Sequence, residues 1–447
     1  MFAISHVLIL VRVDEGGQRE MPALLTEHGL FLPLVRYFIH VDPSPAKSLK
    51  IRHYVAEMLR YWSVNRGEKP VEFFRKFKYR WQTGAASSES VDTNLGWKAQ
   101  SFESTNNCIR ELTAFFDYLV ASNSDLIHPN PLVKATSADR AIIRVAEMHK
   151  RSSALLGHLW DGSTRNTVRD LRGIPTAAHV SSSPRFPDDR FEELLASGFK
   201  TRLGNDYRGM AMTLLMHGGG LRASELFHLY IDDVFDDPIN PDSAFVRICH
   251  PALSAPPDCY PGKYKNRAEL LKAFDLQPRH QSYRSDRAGF KGAKYETEAG
   301  RYCFAVHWFE PEFGVLFKRI WCEYLARIVG IHRNHPYAFI NLDCRSGDEG
   351  APLKQDRFNK SHQAAVRRIG LAVKKELGTT LHGHRHAYGA RLRKANLDPL
   401  IIQRVMHHRS ILSQQVYTTP DLQEIGRQLD VASQALNAKP KRWDWVC

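Results

Sequence analysis

The last third of the chain contains Leu381-His382-Gly383-His384-Arg385-His386, then Met406-His407-His408, and then Tyr417. His408 lies 23 residues after Arg385, and Tyr417 lies nine residues after His408. A tyrosine that attacks a phosphodiester needs such partners, because arginines can stabilise the negative charge and imidazoles can move protons. This stretch therefore indicates a chemical reaction, whereas a fold assignment alone does not indicate function.

The charge of the chain favours a polyanionic partner. The formal net charge is +14 over 447 residues, and we expect nucleic acid rather than a membrane surface to be the partner. The excess is concentrated in residues 351–447, which hold 17 Lys and Arg against 7 Asp and Glu. No run of sequence approaches the roughly 20 apolar residues that a membrane span requires. The apolar residues 2–13 lack the basic flank and cleavage site of a signal peptide, so they predict a buried strand.

The cysteines and histidines argue against a metal site. None of the seven cysteines forms a Cys-x-x-Cys pair, and their odd number in a chain without a signal peptide fits reduced thiols and a cytoplasmic location. His382, His384 and His386 follow one another at every second residue, so they cannot all face one way on a helix. We therefore predict neither a metal ion nor another cofactor.

The periodicity of apolar residues predicts an α+β fold that is mainly helical. Helical spacing is clear in residues 49–62, 105–121, 308–329 and 359–377, and strand-like alternation in 244–249 and 302–306. A further helix is expected over residues 221–226, after the three glycines at 218–220. Basic and aromatic residues interleave in 73–81, which fits a DNA-contacting surface and a helix with a buried aromatic face equally well. The predicted divisions are an N-terminal strand and extension (1–45), a helical domain (46–135), a linker region (136–184), a catalytic domain (185–430) with an insertion (251–287), and a tail (431–447).

The motifs in residues 185–430 resemble the tyrosine recombinase or phage integrase family of site-specific DNA recombinases. Residues 219–226 are similar to the family's first arginine box, which assigns Arg222. His382-Gly383-His384-Arg385 is similar to its His-x-x-Arg box, His408 aligns with its later histidine, and Tyr417 aligns with its nucleophile. The family's lysine lies on a turn between two strands, which residues 291–294 resemble; Lys291 is favoured and Lys294 is the alternative acid.

The resemblance implies the fold and the activity. The fold would be an N-terminal helical core-binding domain that contacts DNA, followed by a catalytic domain with a small antiparallel sheet. The chain would cut and rejoin double-stranded DNA through a 3′-phosphotyrosine, as a homotetramer at synapsis, on behalf of a mobile genetic element. Neither metal nor ATP would be needed. The alternatives are a catalytically silent DNA-binding accessory protein and a nicking-closing enzyme of the type IB topoisomerase kind.

Several residues depart from the family pattern. His407 replaces the usual glycine before the second histidine, which leaves open whether His407 or His408 enters the site. Lys291 lies 69 residues after Arg222, a longer interval than the family usually has, hence the predicted insertion. We expect His386 and Tyr388 to orient the helix of the His-x-x-Arg box. Glu225 is interpreted as a structural residue, and residues 420–436 as an amphipathic helix.

Overall fold

The chain groups into two compact units, Met1–His179 and Val180–Cys447. The computed structural model describes residues 3–12, 18–84, 95–153, 166–173, 184–202, 204–260, 262–293, 295–298 and 300–408. Each unit has its own hydrophobic core. None of the described helices is both long and apolar enough to cross a membrane. The finer division that the sequence suggests within these units stays a prediction.

The first unit combines an antiparallel sheet with a group of helices. The sheet consists of β1 (Ser5–Arg12), β2 (Gln18–Thr26) and β3 (Gly29–Leu30) in that order. The helices are α1 (Leu32–Val41), α2 (Pro45–Val64), α3 (Pro70–Thr83) and α4 (Phe102–Ser122). Beyond them come β4 (Leu132–Lys134), α5 (Ser137–Ser153) and β5 (Thr167–Arg169), and β4 pairs with β5.

Two sequence predictions can be compared with this unit. The predicted N-terminal strand exists as β1, but the prediction that it is buried was wrong, because Leu10 is 69% exposed. Alternate residues of a strand face opposite ways, and only one face of β1 packs on the core. In α3 the aromatic residues Phe73, Phe74 and Phe77 are buried in the core, so this face of the helix is explained by packing.

The second unit is built around a small antiparallel sheet with the order β10-β11-β9-β8. The strands of this unit are β6 (Lys200–Thr201), β7 (Gly204–Asn205), β8 (Val234–Asp236), β9 (Ala244–Cys249), β10 (Glu296–Glu298) and β11 (Arg301–Ala305). Strands β6 and β7 pair with each other outside the four-stranded sheet. Its α-helices are α6 (Phe191–Glu193), α7 (Tyr207–His217), α8 (Arg267–Lys272), α9 (Pro311–Ile328), α10 (Gln355–Arg368), α11 (Leu381–Lys394) and α12 (Pro399–Val405). The predicted fold class, mainly helical with a small antiparallel sheet, is confirmed.

Shorter turns of helix complete the second unit. A π-helical turn, Leu194–Gly198, continues α6, and 3-10 helices cover Asp188–Arg190, Glu225–His228, Ile231–Asp233 and Cys344–Ser346. The helix predicted over 359–377 ends at Arg368, because Gly370 turns the backbone into the left-handed region with φ +77°.

Helix α7 passes through the middle of this unit. All its residues from Gly209 to His217 are buried, and it packs against α9 and α11. Its start is capped by Asp206, whose carboxylate accepts a hydrogen bond from the Gly209 amide at 3.0 Å. Because α7 is buried on all sides, it fixes the position from which the segment after its last residue begins.

The predicted insertion, residues 251–287, packs against the rest of the second unit. Arg267 of α8 is buried and forms a bidentate ion pair with Asp233, at 2.9 and 2.5 Å. Arg279 is also buried and donates to the backbone carbonyls of Phe227 and Leu353, at 3.3 and 2.7 Å. Arg267 therefore joins the insertion to a segment before it in the sequence, and Arg279 joins it to segments on both sides.

One cysteine pair differs from the prediction of reduced thiols. Cys249 of β9 and Cys303 of β11 are opposite each other in paired strands and form a disulfide, with 4.0 Å between their Cα atoms. The prediction was wrong for this pair, because the strand register that brings the two residues together is not visible in their sequence separation of 54. Cys108, Cys259, Cys322 and Cys344 are free.

Candidate active site

Arg385 of α11 forms hydrogen bonds with two other segments of the chain, so that three segments meet at its side chain. Its side chain is only 1% exposed. One terminal nitrogen donates to the carbonyl of Gly220, in the turn after α7, and the other donates to the carbonyl of Met406, after α12, at 2.5 Å. A guanidinium stays charged at any working pH. Arg385 thus holds a fixed positive charge where the three segments meet.

The turn after α7 is shaped by its contact with α11. Gly220 has φ +69°, and a Cβ at this position would collide with the ring of Tyr388. A glycine is favoured here because it adopts this conformation without steric cost. Tyr388 is buried, and its hydroxyl donates to the carbonyl of His307 at 2.8 Å. The backbone of this turn therefore packs against the Tyr388 ring of the helix that carries Arg385.

Arg222 is held by Glu225. The carboxylate of Glu225 accepts two hydrogen bonds from Arg222, one from its backbone amide at 2.7 Å and one from its guanidinium at 2.5 Å. Glu225 is 1% exposed, whereas 17% of the Arg222 side chain remains accessible. The helix predicted over residues 221–226 was wrong: a turn precedes a 3-10 helix at Glu225–His228, because the carboxylate bonds the backbone of Arg222 locally.

His382 is neutral at neutral pH. Desolvation by the surrounding protein, followed by the charges of Arg385, Lys291 and Arg222, lowers the pKa of His382 to about 4, although the residue stays accessible to solvent. Its ring meets that of His386 nearly at right angles, with 4.4 Å between centroids. Burial, and next the charge of neighbouring groups including Arg385, lowers the pKa of His386 to about 3. The neutral ring keeps one unprotonated nitrogen, which can accept a proton.

His407 and His408 are both buried beside the arginines, but they are packed differently. The ring of His407 stacks on Phe304 with 3.7 Å between centroids, and its backbone has φ +56°. Burial lowers the pKa of His408 to about 3, with further contributions from Arg385 and Arg222. For His407 burial likewise lowers the pKa well below its ordinary value, again with both arginines contributing. The stacking gives His407 a packing role that His408 does not share in the described contacts.

Electrostatic interactions link five of the predicted residues: His382 interacts with Arg222, Lys291 and Arg385, and His408 interacts with both arginines. Lys291 is exposed and lies in the connection between β9 and β10, before Gly292 with its φ of +75°. The paired strands β10 and β11 follow later in the chain. Tyr417, Lys294 and the predicted helix at 420–436 lie outside the described residues.

Sequence reasoning missed two histidines behind this site. His217, at the end of α7, and His362, in α10, are buried and both lie within hydrogen-bond distance of His384. The available signal for His217 was its position at the end of the apolar helix α7, whereas the polar sequence of α10 gave none for His362. Within the described ranges, no group of three or more His, Cys, Asp or Glu side chains is arranged to hold a metal ion.

Comparison with known proteins assigns one part of the chain to a family. Residues 312–424 match the model of the phage integrase family. This part of the chain is therefore a phage integrase family domain, the kind of domain with which tyrosine recombinases break and rejoin DNA. The matched residues begin within α9 and include His382, Arg385, His408 and Tyr417, whereas Arg222 and Lys291 precede them.

Solved structures of recombinases align with most of the chain at low identity. XerA recombinase is 14% identical, with 90% of this chain and 97% of that chain covered and a TM-score of 0.35. The Tn1549 transposon integrase in complex with circular intermediate DNA is 13% identical, with coverages of 90% and 98% and a TM-score of 0.48. A lambda integrase dimer bound to a core site is 10% identical, with coverages of 87% and 94% and a TM-score of 0.45. No curated protein sequence matches this chain.

Proposed function

We propose that this protein cuts and rejoins specific DNA sites through a 3′-phosphotyrosine at Tyr417, with neither metal nor ATP. The observation that carries the proposal is the bonding of Arg385 to the carbonyls of Gly220 and Met406. These bonds bring the segments that bear Arg222, Arg385 and His408 into one cluster of positive charge, although the sequence separates them widely. Such a cluster suits a reaction whose transition state is more negative than its substrate.

The arginines would stabilise the phosphodiester as its oxygens gain charge. Arg222 keeps part of its guanidinium accessible while Glu225 fixes the rest of the side chain. Guanidinium groups pair bidentately with phosphate oxygens and do not lose their proton, so they remain effective at any working pH. Prior fixation matters because donors that are already in place need not reorganise as the charge develops.

Protons would move through the imidazoles and a lysine. Tyrosine has an ordinary pKa of about 10, so attack by Tyr417 needs a base, and neutral His382 is our candidate. His408 would donate a hydrogen bond to a non-bridging oxygen. Lys291, or alternatively Lys294, would protonate the leaving 5′-oxygen. The phosphotyrosine conserves the energy of the broken bond, which is why rejoining would require no ATP.

Double-stranded DNA is the proposed partner. The net charge of +14, most of it in residues 351–447, supports a polyanionic ligand. XerH recombinase and the Tn1549 and lambda integrases have been crystallised with DNA. We propose further that the helical part of the first unit is a core-binding domain, that four protomers assemble at synapsis, that the protein acts in the cytoplasm, and that a mobile genetic element carries the gene.

Replacing Tyr417 by Phe should abolish the covalent adduct and leave DNA binding intact, because only the attacking hydroxyl is lost. The substrate is a plasmid that carries the DNA flanking the recombinase gene, since the target site is expected nearby. Adducts are captured with detergent and potassium, and their ends are sequenced. Tyr264→Phe, which changes a half-buried tyrosine of the predicted insertion, is the matched control and should react like the wild type.

The possible outcomes separate the alternatives. An adduct formed by the Tyr417→Phe variant would show that another residue is the nucleophile. If the wild type binds DNA but forms no adduct, it is a catalytically silent accessory protein. If it relaxes a supercoiled plasmid that lacks the flanking DNA, the topoisomerase-like alternative is correct.

A further inference from the structure

Three buried histidines from three helices form a chain behind the arginine cluster. His384 of α11 lies at its centre. Its Nδ1 is 3.2 Å from Nδ1 of His217, at the end of α7, and its Nε2 is 2.8 Å from Nε2 of His362, in α10. Each of the three residues is at most 1% exposed. The chain therefore connects α7, α10 and α11 through polar contacts inside an otherwise apolar core.

The proton positions along this chain are fixed from one end. A guanidinium nitrogen of Arg391 is 2.8 Å from Nε2 of His217, and because arginine can only donate, this Nε2 must accept. His217 then carries its proton on Nδ1 and donates to Nδ1 of His384. His384 consequently carries its proton on Nε2 and donates to His362. The three rings are neutral, and each contact has one defined direction.

Arg391 is itself held at several points. It donates to the carboxylate of Asp188 at 2.8 Å and to the backbone carbonyl of His217, and it forms an ion pair with Glu310 at 3.2 Å. The rings of His217 and His384 are also stacked on aromatic side chains. Phe191 covers His217 with 3.6 Å between centroids, and Phe186 covers His384 with 4.3 Å. The rings are thus restrained both in their planes and along their hydrogen bonds.

Two members of this histidine chain lie close to the proposed catalytic arginines in the sequence. His217 is the last residue of α7, directly before the glycine turn that leads to Arg222. His384 directly precedes Arg385. We infer that His384, together with His217 and His362, positions the two arginines by fixing α11 against the end of α7. This inference rests on the proposed function.

The hydrogen bonds between the histidines restrict movement of α11 relative to α7 more than apolar packing alone would. Apolar side chains of similar volume would fill the same space, but they tolerate small sliding movements between helices. A hydrogen bond weakens steeply when its angle or length changes, so the chain selects one register of α11 relative to α7. A misplacement of about 1 Å can cost on the order of a hundredfold in rate. The chain would therefore affect the chemical step more than folding or DNA binding.

The test compares His384→Leu, His384→Gln and the triple variant His217→Leu/His362→Phe/His384→Leu. The single leucine leaves two buried imidazoles without their partner and should lower the Tm. The triple variant removes all three polar rings and should regain the Tm of the wild type. It should still form the Tyr417 adduct about ten- to a hundredfold more slowly in single turnovers at saturating DNA, with unchanged affinity. Glutamine offers a donor and an acceptor, so it should restore part of the rate.

Controls separate positioning from stability and from the proposed function. His335→Leu removes another buried histidine, whose ring bonds the Gly350 carbonyl at 2.8 Å, and should lower the Tm without slowing the adduct. A triple variant that reacts at the wild-type rate would overturn the inference alone. A wild type that forms no adduct would overturn the proposed function and the inference with it. Independently of activity, nitrogen NMR of labelled histidine must find the His384 proton on Nε2; a proton on Nδ1 would disprove the chain.

Discussion

At the scale of single residues, the position of Arg222 depends on Glu225. The buried carboxylate accepts hydrogen bonds from both the backbone and the side chain of Arg222, so it fixes the residue at two points. Such a carboxylate is stabilised only while its partner remains, and removing one member of a buried pair leaves the other charge uncompensated. The interpretation of Glu225 as structural therefore becomes more specific: it holds a proposed catalytic side chain.

Replacing Glu225 by Ala should slow adduct formation more than it weakens DNA binding, because Arg222 loses its fixed orientation. The free energy of unfolding should fall by about 3 kcal/mol, since a partly buried guanidinium is left unpaired. Denaturant unfolding and single-turnover cleavage measure the two effects. Glu193→Ala is the control: it breaks the exposed pair with Arg190 at the same spacing and should cost about 0.5 kcal/mol or less. Equal costs for both variants would refute this account.

At the scale of elements, the insertion is part of the catalytic unit's own packing. The short helix α8 buries Leu270 and Leu271 against Tyr230 and Tyr337. The guanidinium of Arg267 lies over the ring of Tyr230, 4.3 Å from its centroid, while it pairs with Asp233. The described part of the insertion is thus joined to the strands and turns that surround the site.

Replacing Arg267 by Ala should destabilise the second unit by about 3–5 kcal/mol, because the carboxylate of Asp233 would stay buried without its partner. We also expect faster proteolysis within residues 251–287, since α8 loses its attachment. Denaturant unfolding and limited proteolysis provide the measurements. Arg301→Ala, which removes the exposed pair with Asp258, should cost at most about 1 kcal/mol. A similar loss in both variants would show that the burial of the Arg267 pair is irrelevant.

At the scale of the whole molecule, burial of neutral histidines makes stability depend on pH. Burial lowers the pKa of His217, His228, His384 and His407 well below the ordinary value, and that of His362 to about 3. In the unfolded chain the same groups take up protons once the pH falls below about 6.5. The unfolded state then binds more protons than the folded state, so stability is complete above this pH and is lost as the pH falls.

Acid should therefore destabilise the protein steeply between pH 7.5 and pH 5.5. Each histidine that stays neutral in the fold costs about 1.4 kcal/mol at pH 5.5. The triple variant His217→Leu/His362→Phe/His384→Leu should be less sensitive by about 4 kcal/mol over this range, provided that Arg391 and Asp188, which face the chain, stay paired. Denaturant unfolding at several pH values measures the slopes, and identical slopes for both proteins would contradict the prediction.

Much of the fold could be predicted because local patterns determine it. Apolar spacing located α2 and α4, and alternation located β9 and β11, since both depend on neighbouring residues in the sequence. The helix predicted over residues 221–226 failed because the Glu225 carboxylate competes with the helical bond pattern of the backbone. The burial predicted for β1 failed because a strand pattern does not say how many faces are covered.

The sequence alone led to the family resemblance and to the proposed site residues Arg385, His382, His408 and Tyr417, because their order and spacing are visible in it. Only the tertiary structure decided how Arg385, His382 and His408 are held. The bond from Arg385 to Gly220 spans 165 residues, and that between His217 and His384 spans 167. No local pattern encodes such contacts, because they arise when helices that are remote in the sequence pack together and their buried polar groups must find partners.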